Sequence, residues 1–178
     1  MSEMNRIETI LNELLVLAKP QATKFASQDV IELLSSVVTL FETQGNLNNI
    51  QIAEEYLATD RMIECDENQI KQVFINFIKN SMEAMTTGGG KITLHVSNEN
   101  ADFILIRVID EGCGIPNHVL ERLGEPFYST KEKGTGLGMM VSNKIIKDHK
   151  GKVNIISEIN KGTTIEIWLP VSKGELDL

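Results

Sequence analysis

Two glycine-rich motifs constrain the fold of this chain more than any other feature. The first, Asp110-Glu-Gly-Cys-Gly-Ile-Pro116, directly follows an apolar run typical of a buried strand. The second, Gly134-Thr-Gly-Leu-Gly138, directly precedes an amphipathic helical pattern. Between them only residues 119–123 look helical, which predicts a long functional loop. The fold must therefore bring a strand end, a long loop and a helix N-terminus together.

The chemistry of the two motifs suits a purine nucleotide. A carboxylate such as Asp110 accepts a hydrogen bond from an exocyclic amino group, which selects adenine over guanine, and the glycines Gly112 and Gly114 leave room for a flat base. A glycine cluster that opens a helix presents backbone amides to phosphates, and Lys131 and Lys133 lie nearby in the sequence. An isolated Asp-x-Gly favours a tight turn, and a glycine run alone is about as consistent with a flexible turn as with a phosphate site. Together we interpret them as one ATP site.

Other phosphate-binding loops fit less well. The second motif has Met139 where the dinucleotide fingerprint requires glycine or alanine, and it follows a charged loop rather than a strand. The run Gly88-Gly-Gly-Lys91 has Ile92 where a P-loop requires serine or threonine. We therefore expect neither a dinucleotide fold nor a P-loop.

A polar stripe is predicted on the helix that spans residues 67–85. Gln72, Asn76, Asn80 and Glu83 recur at helical spacing, opposite the phenylalanines. A solvated face is the simplest interpretation. The two asparagines favour a second one, because asparagine is a middling helix former and its carbonyl is a neutral oxygen ligand for a magnesium ion already held by phosphates.

The remaining pattern predicts an α/β domain. Acidic N-caps at Asp29 and Asp66 begin two helices, and a third is expected over residues 137–149. Strands are expected over residues 50–57, 61–65, 91–98, 103–109, 153–157 and 163–169. The strands over 91–98 and 103–109 should form an antiparallel pair, and the last two strands a hairpin.

Composition limits the partners and the compartment. The net charge of −8 argues against a nucleic-acid or anionic-membrane surface, so proteins or small molecules are expected. Cys65 and Cys113 show no disulfide or zinc spacing, which fits a reducing cytoplasm. The sequence contains no apolar run of membrane-helix length and no signal-peptide pattern, although a longer parent protein could be anchored.

The N-terminal residues carry the apolar seam of a coiled coil or helical hairpin, which Pro20 then ends. A second copy, a neighbouring helix or the domain itself must cover this seam, and half of a dimerisation hairpin is one explanation. The seam consists of Met4, Ile7, Leu11, Leu14 and Ala18.

From about residue 28 onward, these motifs resemble the catalytic, ATP-binding domain of bacterial two-component sensor histidine kinases. The run Gln72-Val-Phe-Ile-Asn76-Phe-Ile-Lys-Asn80-Ser-Met-Glu-Ala84 resembles the asparagine box of that family. The motif that begins at Asp110 resembles its first glycine box, and Glu125-Pro-Phe127-Tyr-Ser-Thr-Lys131 its phenylalanine box. The motif Gly134 to Gly138 resembles its second glycine box, and Lys161-Gly-Thr163-Thr its closing element.

The resemblance implies the roles of site residues and a fold. Asn80 would coordinate Mg²⁺, Asp110 would contact adenine, and residues 115–134 would form the ATP lid. The implied fold is a two-layer Bergerat-type α/β sandwich, with a mixed, mainly antiparallel sheet and three helices on one face. The full set of implied nucleotide contacts is Asn76, Asn80, Asp110, Gly112, Gly114, Ile115, Phe127, Lys131, Gly134, Thr135, Gly136, Leu137, Gly138 and Thr163.

The resemblance also implies domains and partners. Residues 1–20 look like the end of the dimerisation hairpin, as in sporulation-type and nitrogen-regulation-type kinases, and residues 21–178 like the catalytic domain. The implied partners are that hairpin, a response regulator and a second copy in the full-length protein. No phosphoacceptor motif is present, since His95, His118 and His149 lack the following acid. This chain alone should not phosphorylate itself.

Three alternatives remain. ATP-hydrolysing switches of the topoisomerase, mismatch-repair and heat-shock chaperone type resemble one another in carrying a general-base glutamate where this chain has Asn76. Serine kinases of the anti-sigma type fit the long loop and the N-terminal seam poorly. A nucleotide-sensing interaction module without transfer activity is the third. Glu83 departs from the histidine kinases too, many of which carry a basic residue there.

Overall fold

The computed structural model describes residues 24–85, 88–131 and 134–172, together with five helical positions near the N-terminus: Ile7, Leu11, Leu14, Leu15 and Leu17. Predictions that concern Met4, Ala18, Pro20 and Lys133 lie outside the described residues. The helix expected over residues 1–20 and the domain boundary after it therefore stay predictions.

The described residues between 26 and 170 contain seven strands and four helices. The strands are β1 Ala26–Asp29, β2 Ile50–Tyr56, β3 Met62–Cys65, β4 Gly90–Asn98, β5 Phe103–Asp110, β6 Lys152–Glu158 and β7 Gly162–Pro170. The helices are α1 Val30–Leu47, α2 Glu67–Ala84, α3 Asn117–Leu120 and α4 Gly138–Asp148. None of the helices in the described part of the chain is long and apolar enough to cross a membrane.

Five strands form the main sheet, in the order β2-β4-β5-β7-β6. Strands β2 and β4 run parallel, whereas β4 with β5, β5 with β7 and β6 with β7 run antiparallel. The mixed, mainly antiparallel sheet expected from the sequence is confirmed, as are the two predicted antiparallel pairs. Strand β1, which the sequence did not predict, pairs antiparallel with β3 in a separate two-stranded sheet.

The core lies between the main sheet and helices α1, α2 and α4. Alternate residues of β4 (Ile92, Leu94 and Val96) are fully buried, as the strand pattern predicts. Phe74 and Phe77 are fully buried on α2, which contacts α1, α4 and both central strands β4 and β5. Helix α2 thus buries its apolar face, and Ser81 near its C-terminal end reaches Asp110 at the end of β5.

Both predicted acidic residues, Asp29 and Asp66, cap the N-termini of their helices. The Asp29 carboxylate accepts from Ile31 N at 2.8 Å, and the Asp66 carboxylate accepts from Gln69 N at 3.2 Å. Each bond satisfies a backbone donor that the first helical turn leaves free. Because Asp66 fixes where α2 begins, it also fixes which residues of that helix reach the end of β5.

Candidate functional site

The carboxylate of Asp110 lies at the centre of the first glycine motif. It is only 5% exposed, at the end of β5. Its Oδ2 accepts from Ser81 Oγ at 2.9 Å, and its Oδ1 accepts from the backbone amides of Gly112 at 2.9 Å and Thr163 at 3.2 Å. One helix, one turn and one neighbouring strand therefore fix the orientation of this carboxylate.

This environment leaves the carboxylate able to accept one more hydrogen bond. Burial raises the pKa of Asp110, while the bonds from Gly112, Ser81 and Thr163 act in the opposite direction. An ionised carboxylate offers about four lone-pair positions, and three are already used. A donor such as an exocyclic amino group fits the remaining position.

Gly112 has no room for a side chain. A Cβ atom built there would lie 2.6 Å from Ala84 Cβ and 2.8 Å from Asp110 Oδ1. The next residue, Cys113, donates its backbone amide to Ala84 O at 3.2 Å. The turn after β5 therefore packs directly against the end of α2, and any side chain at position 112 would push the Asp110 carboxylate aside.

We expect Gly112→Ala to lower both stability and nucleotide affinity. Overpacking of this kind costs about 1–3 kcal/mol of unfolding free energy, which denaturant unfolding measures. A suitable control is Gly45→Ala in α1, whose Cβ would lie 2.9 Å from Ile50 O, away from the site. Gly45→Ala should lose stability and keep its affinity for nucleotide. Equal affinity in both variants would contradict a base pocket beside Gly112.

The two asparagines of α2 interact with each other and with α4. Asn76 Nδ2 donates to Ser142 Oγ at 3.0 Å, and Asn80 Nδ2 donates to Asn76 Oδ1 at 3.4 Å. A Cβ atom on Gly138 would lie 2.7 Å from Asn76 Oδ1. The first residue of α4 is therefore glycine because the Asn76 side chain fills the adjacent space.

The second glycine motif forms the start of α4. Leu137 is the N-cap residue, and no side chain caps the helix there. The side chain of Thr135 accepts instead from Leu137 N at 3.3 Å, one residue before the helix. Amides at an uncapped helix N-terminus bind anions readily, and here they lie beside Asn76 of α2.

Lys131 connects the loop after β5 to α2. Its ammonium donates to Asn80 Oδ1 at 2.9 Å and pairs with the Glu83 carboxylate. The asparagine stripe, the glutamate and the end of the phenylalanine-type motif thus meet at one place. The Asp110 pocket is formed by Ser81, Gly112 and Thr163 around the carboxylate. Because Ser81 follows Asn80 directly, α2 contributes to this cluster and to the Asp110 pocket through adjacent residues.

A family model described as "Histidine kinase-, DNA gyrase B-, and HSP90-like ATPase" matches residues 65–173, which contain α2, the Asp110 pocket and both glycine motifs. The chain belongs to this ATPase family. Two curated relatives from Bacillus subtilis (strain 168) narrow the assignment. Sporulation kinase C is 48% identical over 96% of this chain, and sporulation kinase E is 46% identical over 96%. The chain spans only 40% and 23% of their respective lengths.

Solved structures agree with the sequence relatives. The nucleotide-free catalytic domain of histidine kinase ThkA superposes with a TM-score of 0.74 and 32% identity, covering 83% of this chain and 96% of that domain. ThkA in complex with the response regulator TrrA gives a TM-score of 0.80 and 30% identity over 97% of this chain and 49% of that one. The chain is therefore the ATP-binding catalytic domain of a sensor histidine kinase, with the Bergerat fold expected from the sequence.

The donor set of this ATPase site suits a cation that arrives with its own ligands. No group of three or more histidine, cysteine, aspartate or glutamate side chains that could hold a metal occurs among the described residues. Asn80 Oδ1 is nevertheless a neutral oxygen that already accepts from a cationic group, the Lys131 ammonium. Such an oxygen fits Mg²⁺ whose other ligands are phosphate oxygens and water.

Three other residues predicted to contact nucleotide, Ile115, Thr163 and Phe127, differ in how they are placed around the site. Ile115 N donates to Ser157 Oγ at 2.8 Å, and Ser157 Oγ lies 2.9 Å from Thr163 Oγ1, so both predicted residues border the Asp110 pocket. The Phe127 side chain is 67% exposed. The backbone of Phe127 and Tyr128 packs against Gly136. Nucleotide contact by Phe127 stays a prediction.

Three serines that were not predicted from the sequence hold predicted site residues in place. Ser81 holds Asp110, Ser142 holds Asn76, and Ser157 joins Ile115 to Thr163. Ser81 and Ser142 are both 2% exposed. A serine within the apolar stripe of a helix is a usable signal, because a buried hydroxyl requires a partner.

His149 makes structural contacts between two helices. Its Nε2 accepts from Asp66 N at 3.0 Å, its Nδ1 lies 2.7 Å from Ile145 O, and its ring packs against Phe25. His149 therefore joins the end of α4 to the start of α2. His118 is exposed in α3, and His95 lies in β4.

Proposed function

We propose that this domain donates the γ-phosphate of ATP to a histidine on a dimerisation hairpin, from which a response-regulator aspartate receives it. The acceptor histidine is absent from this chain, so the transfer takes place in the full-length protein. The support comes from the family, from the kinases among the relatives and from the ThkA–TrrA complex. Within such a protein, a second copy would pair through the hairpin that residues 1–20 resemble.

The observation that carries the proposal is the environment of Asn76. Its side chain is oriented by Ser142 and Asn80 beside the N-terminus of α4, where the phosphates would bind. An amide at this position cannot accept a proton from water, so the site lacks the general base that the hydrolysing enzymes place there. Phosphoryl transfer to a positioned nucleophile depends on orientation and charge neutralisation instead.

Each part of the nucleotide has a proposed partner. Asp110 would accept from the adenine amino group, with Gly112, Gly114, Ile115 and Thr163 around it. Asn80 would hold Mg²⁺, which supplies charge neutralisation at the phosphates when bound, and Asn76 would lie on the same side. The remaining contacts would come from the phenylalanine-type motif and the second glycine motif: Phe127, Lys131, Gly134, Thr135, Gly136, Leu137 and Gly138.

The segment over residues 115–134 would be the lid that covers bound ATP. Closure of such a loop excludes water and fixes the phosphate for transfer. We place the domain in the cytoplasm, because Cys65 and Cys113 show no disulfide or zinc spacing. We expect no nucleic-acid or direct membrane contact, because the net charge of −8 disfavours both surfaces.

Transfer in trans tests the proposal. The domain is mixed with labelled ATP and a separately produced dimerisation hairpin that carries the acceptor histidine. We expect label on the hairpin, and none on a hairpin whose histidine is replaced by glutamine. Release of labelled inorganic phosphate without label on the hairpin would contradict the proposal and favour an ATP-hydrolysing switch. Binding of ATP with neither outcome would favour a nucleotide-sensing module.

A further inference from the structure

Lys131 makes a long-range contact with α2 that directs its ammonium to side chains of this protein. The ammonium donates to Asn80 Oδ1 at 2.9 Å and pairs with Glu83. Both side chains of the ion pair are partly exposed, Lys131 at 45% and Glu83 at 39%. The contact joins positions that lie 48 residues apart in the sequence, so local structure does not impose it.

The backbone around Lys131 presents its side chain toward α2. Lys131 N donates to Ser129 Oγ at 3.1 Å, and Lys131 O accepts from Gly134 N at 3.1 Å. A Cβ atom on Gly134 would lie 2.2 Å from Ser129 Oγ, so glycine is needed for this turn to close. Both backbone polar groups of Lys131 are therefore bonded, to Ser129 on one side and to the start of the second glycine motif on the other.

The acceptor of the ammonium is the oxygen assigned to Mg²⁺. Two cations on one amide oxygen repel each other strongly in a partly desolvated site. The Lys131 ammonium and a magnesium ion therefore cannot share Asn80 Oδ1. Glu83 offers the lysine a second partner of opposite charge, which explains why an acid is useful at this position of α2.

We propose that Lys131, Glu83 and Asn80 form a latch that docks the lid on α2 in the nucleotide-free protein. The lysine ammonium occupies the oxygen of Asn80 that Mg²⁺ takes when nucleotide binds. Arrival of magnesium and nucleotide releases the ammonium from Asn80 and Glu83, and the freed lysine turns to the phosphates. The docking of the lid on α2 stands on the structure alone, whereas the release of Lys131 by magnesium and nucleotide rests on the proposed function.

Hydrogen–deuterium exchange of lid peptides within residues 115–131 tests the latch in the nucleotide-free protein. Glu83→Gln and Lys131→Met should each speed exchange of these peptides by roughly fivefold, the scale of one partly exposed ion pair. The swapped double variant, Glu83→Lys with Lys131→Glu, should restore slow exchange because it rebuilds the pair. Lys71→Met is the matched control, since it breaks the exposed Lys71–Glu67 pair on the same helix and should leave the lid unchanged.

Adding magnesium and a non-hydrolysable ATP analogue tests whether they release Lys131 from Asn80 and Glu83. The difference between Glu83→Gln and the wild type should vanish, whereas the effect of Lys131→Met should persist because the lysine now contacts phosphate. Wild-type exchange rates in both single variants without nucleotide would overturn the latch, as would a swapped variant that exchanges as fast as the single ones. If the latch variants speed hydrogen exchange as expected but the analogue does not bind, the docking of the lid stands. The release of Lys131 by magnesium and the proposed function would then both be overturned.

Discussion

Asp110→Asn should weaken ATP binding by about 100-fold. Asparagine keeps one carbonyl oxygen for the amides of Gly112 and Thr163, which both bond Asp110 Oδ1 in this structure. Its amide nitrogen then takes the place of Oδ2, where it faces Ser81 and the adenine amino group. Two donors would meet at the base, and a pocket built around a hydrogen bond rejects a mismatched partner strongly.

The same substitution should leave the domain as stable as the wild type or raise its Tm by about 2–4 °C. Burial raises the pKa of Asp110 in the folded state, so folding disfavours its ionised form. This cost is absent below the unfolded pKa of about 3.9 and is fully present above the folded pKa. The advantage of Asp110→Asn should therefore shrink as pH falls through the folded pKa, and scanning calorimetry over a pH series measures it.

ATP affinity of the wild type should decline over the same acid range, because a protonated Asp110 loses the acceptor that adenine needs. An unfolded or strongly destabilised Asp110→Asn protein would contradict this account of the pocket. So would a stable variant that binds ATP as tightly as the wild type.

Asn80→Ala should remove the magnesium dependence of nucleotide binding. With Mg²⁺ present, we expect affinity for ATP at least about tenfold below that of the wild type, the scale of one lost bond to a charged partner. Without Mg²⁺ the affinity should not fall, because Asn80 then makes no metal bond. Calorimetric titration with ATP, with and without Mg²⁺, separates the two cases.

Asn80→Asp is the matched control for that experiment. Aspartate keeps an oxygen at the same position of α2, so magnesium dependence should be retained. If alanine and aspartate at position 80 gave the same loss of magnesium dependence, the side-chain oxygen would not be the metal ligand. If Asn80→Ala kept the full effect of Mg²⁺, the metal would have to be held elsewhere.

Much of the fold was predictable because local patterns and buried faces coincide. The alternation of Ile92, Leu94 and Val96 identified β4, and these three residues are indeed fully buried. The caps at Asp29 and Asp66 placed two helix starts correctly. Strand β1 escaped prediction because Ala26–Asp29 has low strand propensity and is held by pairing with β3, a long-range contact.

The site was predictable where chemistry concentrates in short motifs. The motifs singled out Asp110, Gly112 and Thr163, which meet in the structure, and only the structure shows Ser81 joining them. The pairing of Lys131 with Glu83 could not be predicted, because nothing local links the two positions. The sequence indicated only that Glu83 replaces a basic residue common in the family. The structure shows that a cation, the Lys131 ammonium, reaches this position from the loop after β5 instead.

Titration of the wild-type domain with Mg·ATP and with Mg·GTP is the measurement that tests the central claim most directly. Guanine presents a carbonyl where adenine presents an amino group, so the buried Asp110 carboxylate should reject it. The account predicts saturable binding of ATP at one nucleotide per chain and at least about 100-fold weaker binding of GTP. Equal affinity for both nucleotides, or no binding of ATP to the folded protein, would contradict it.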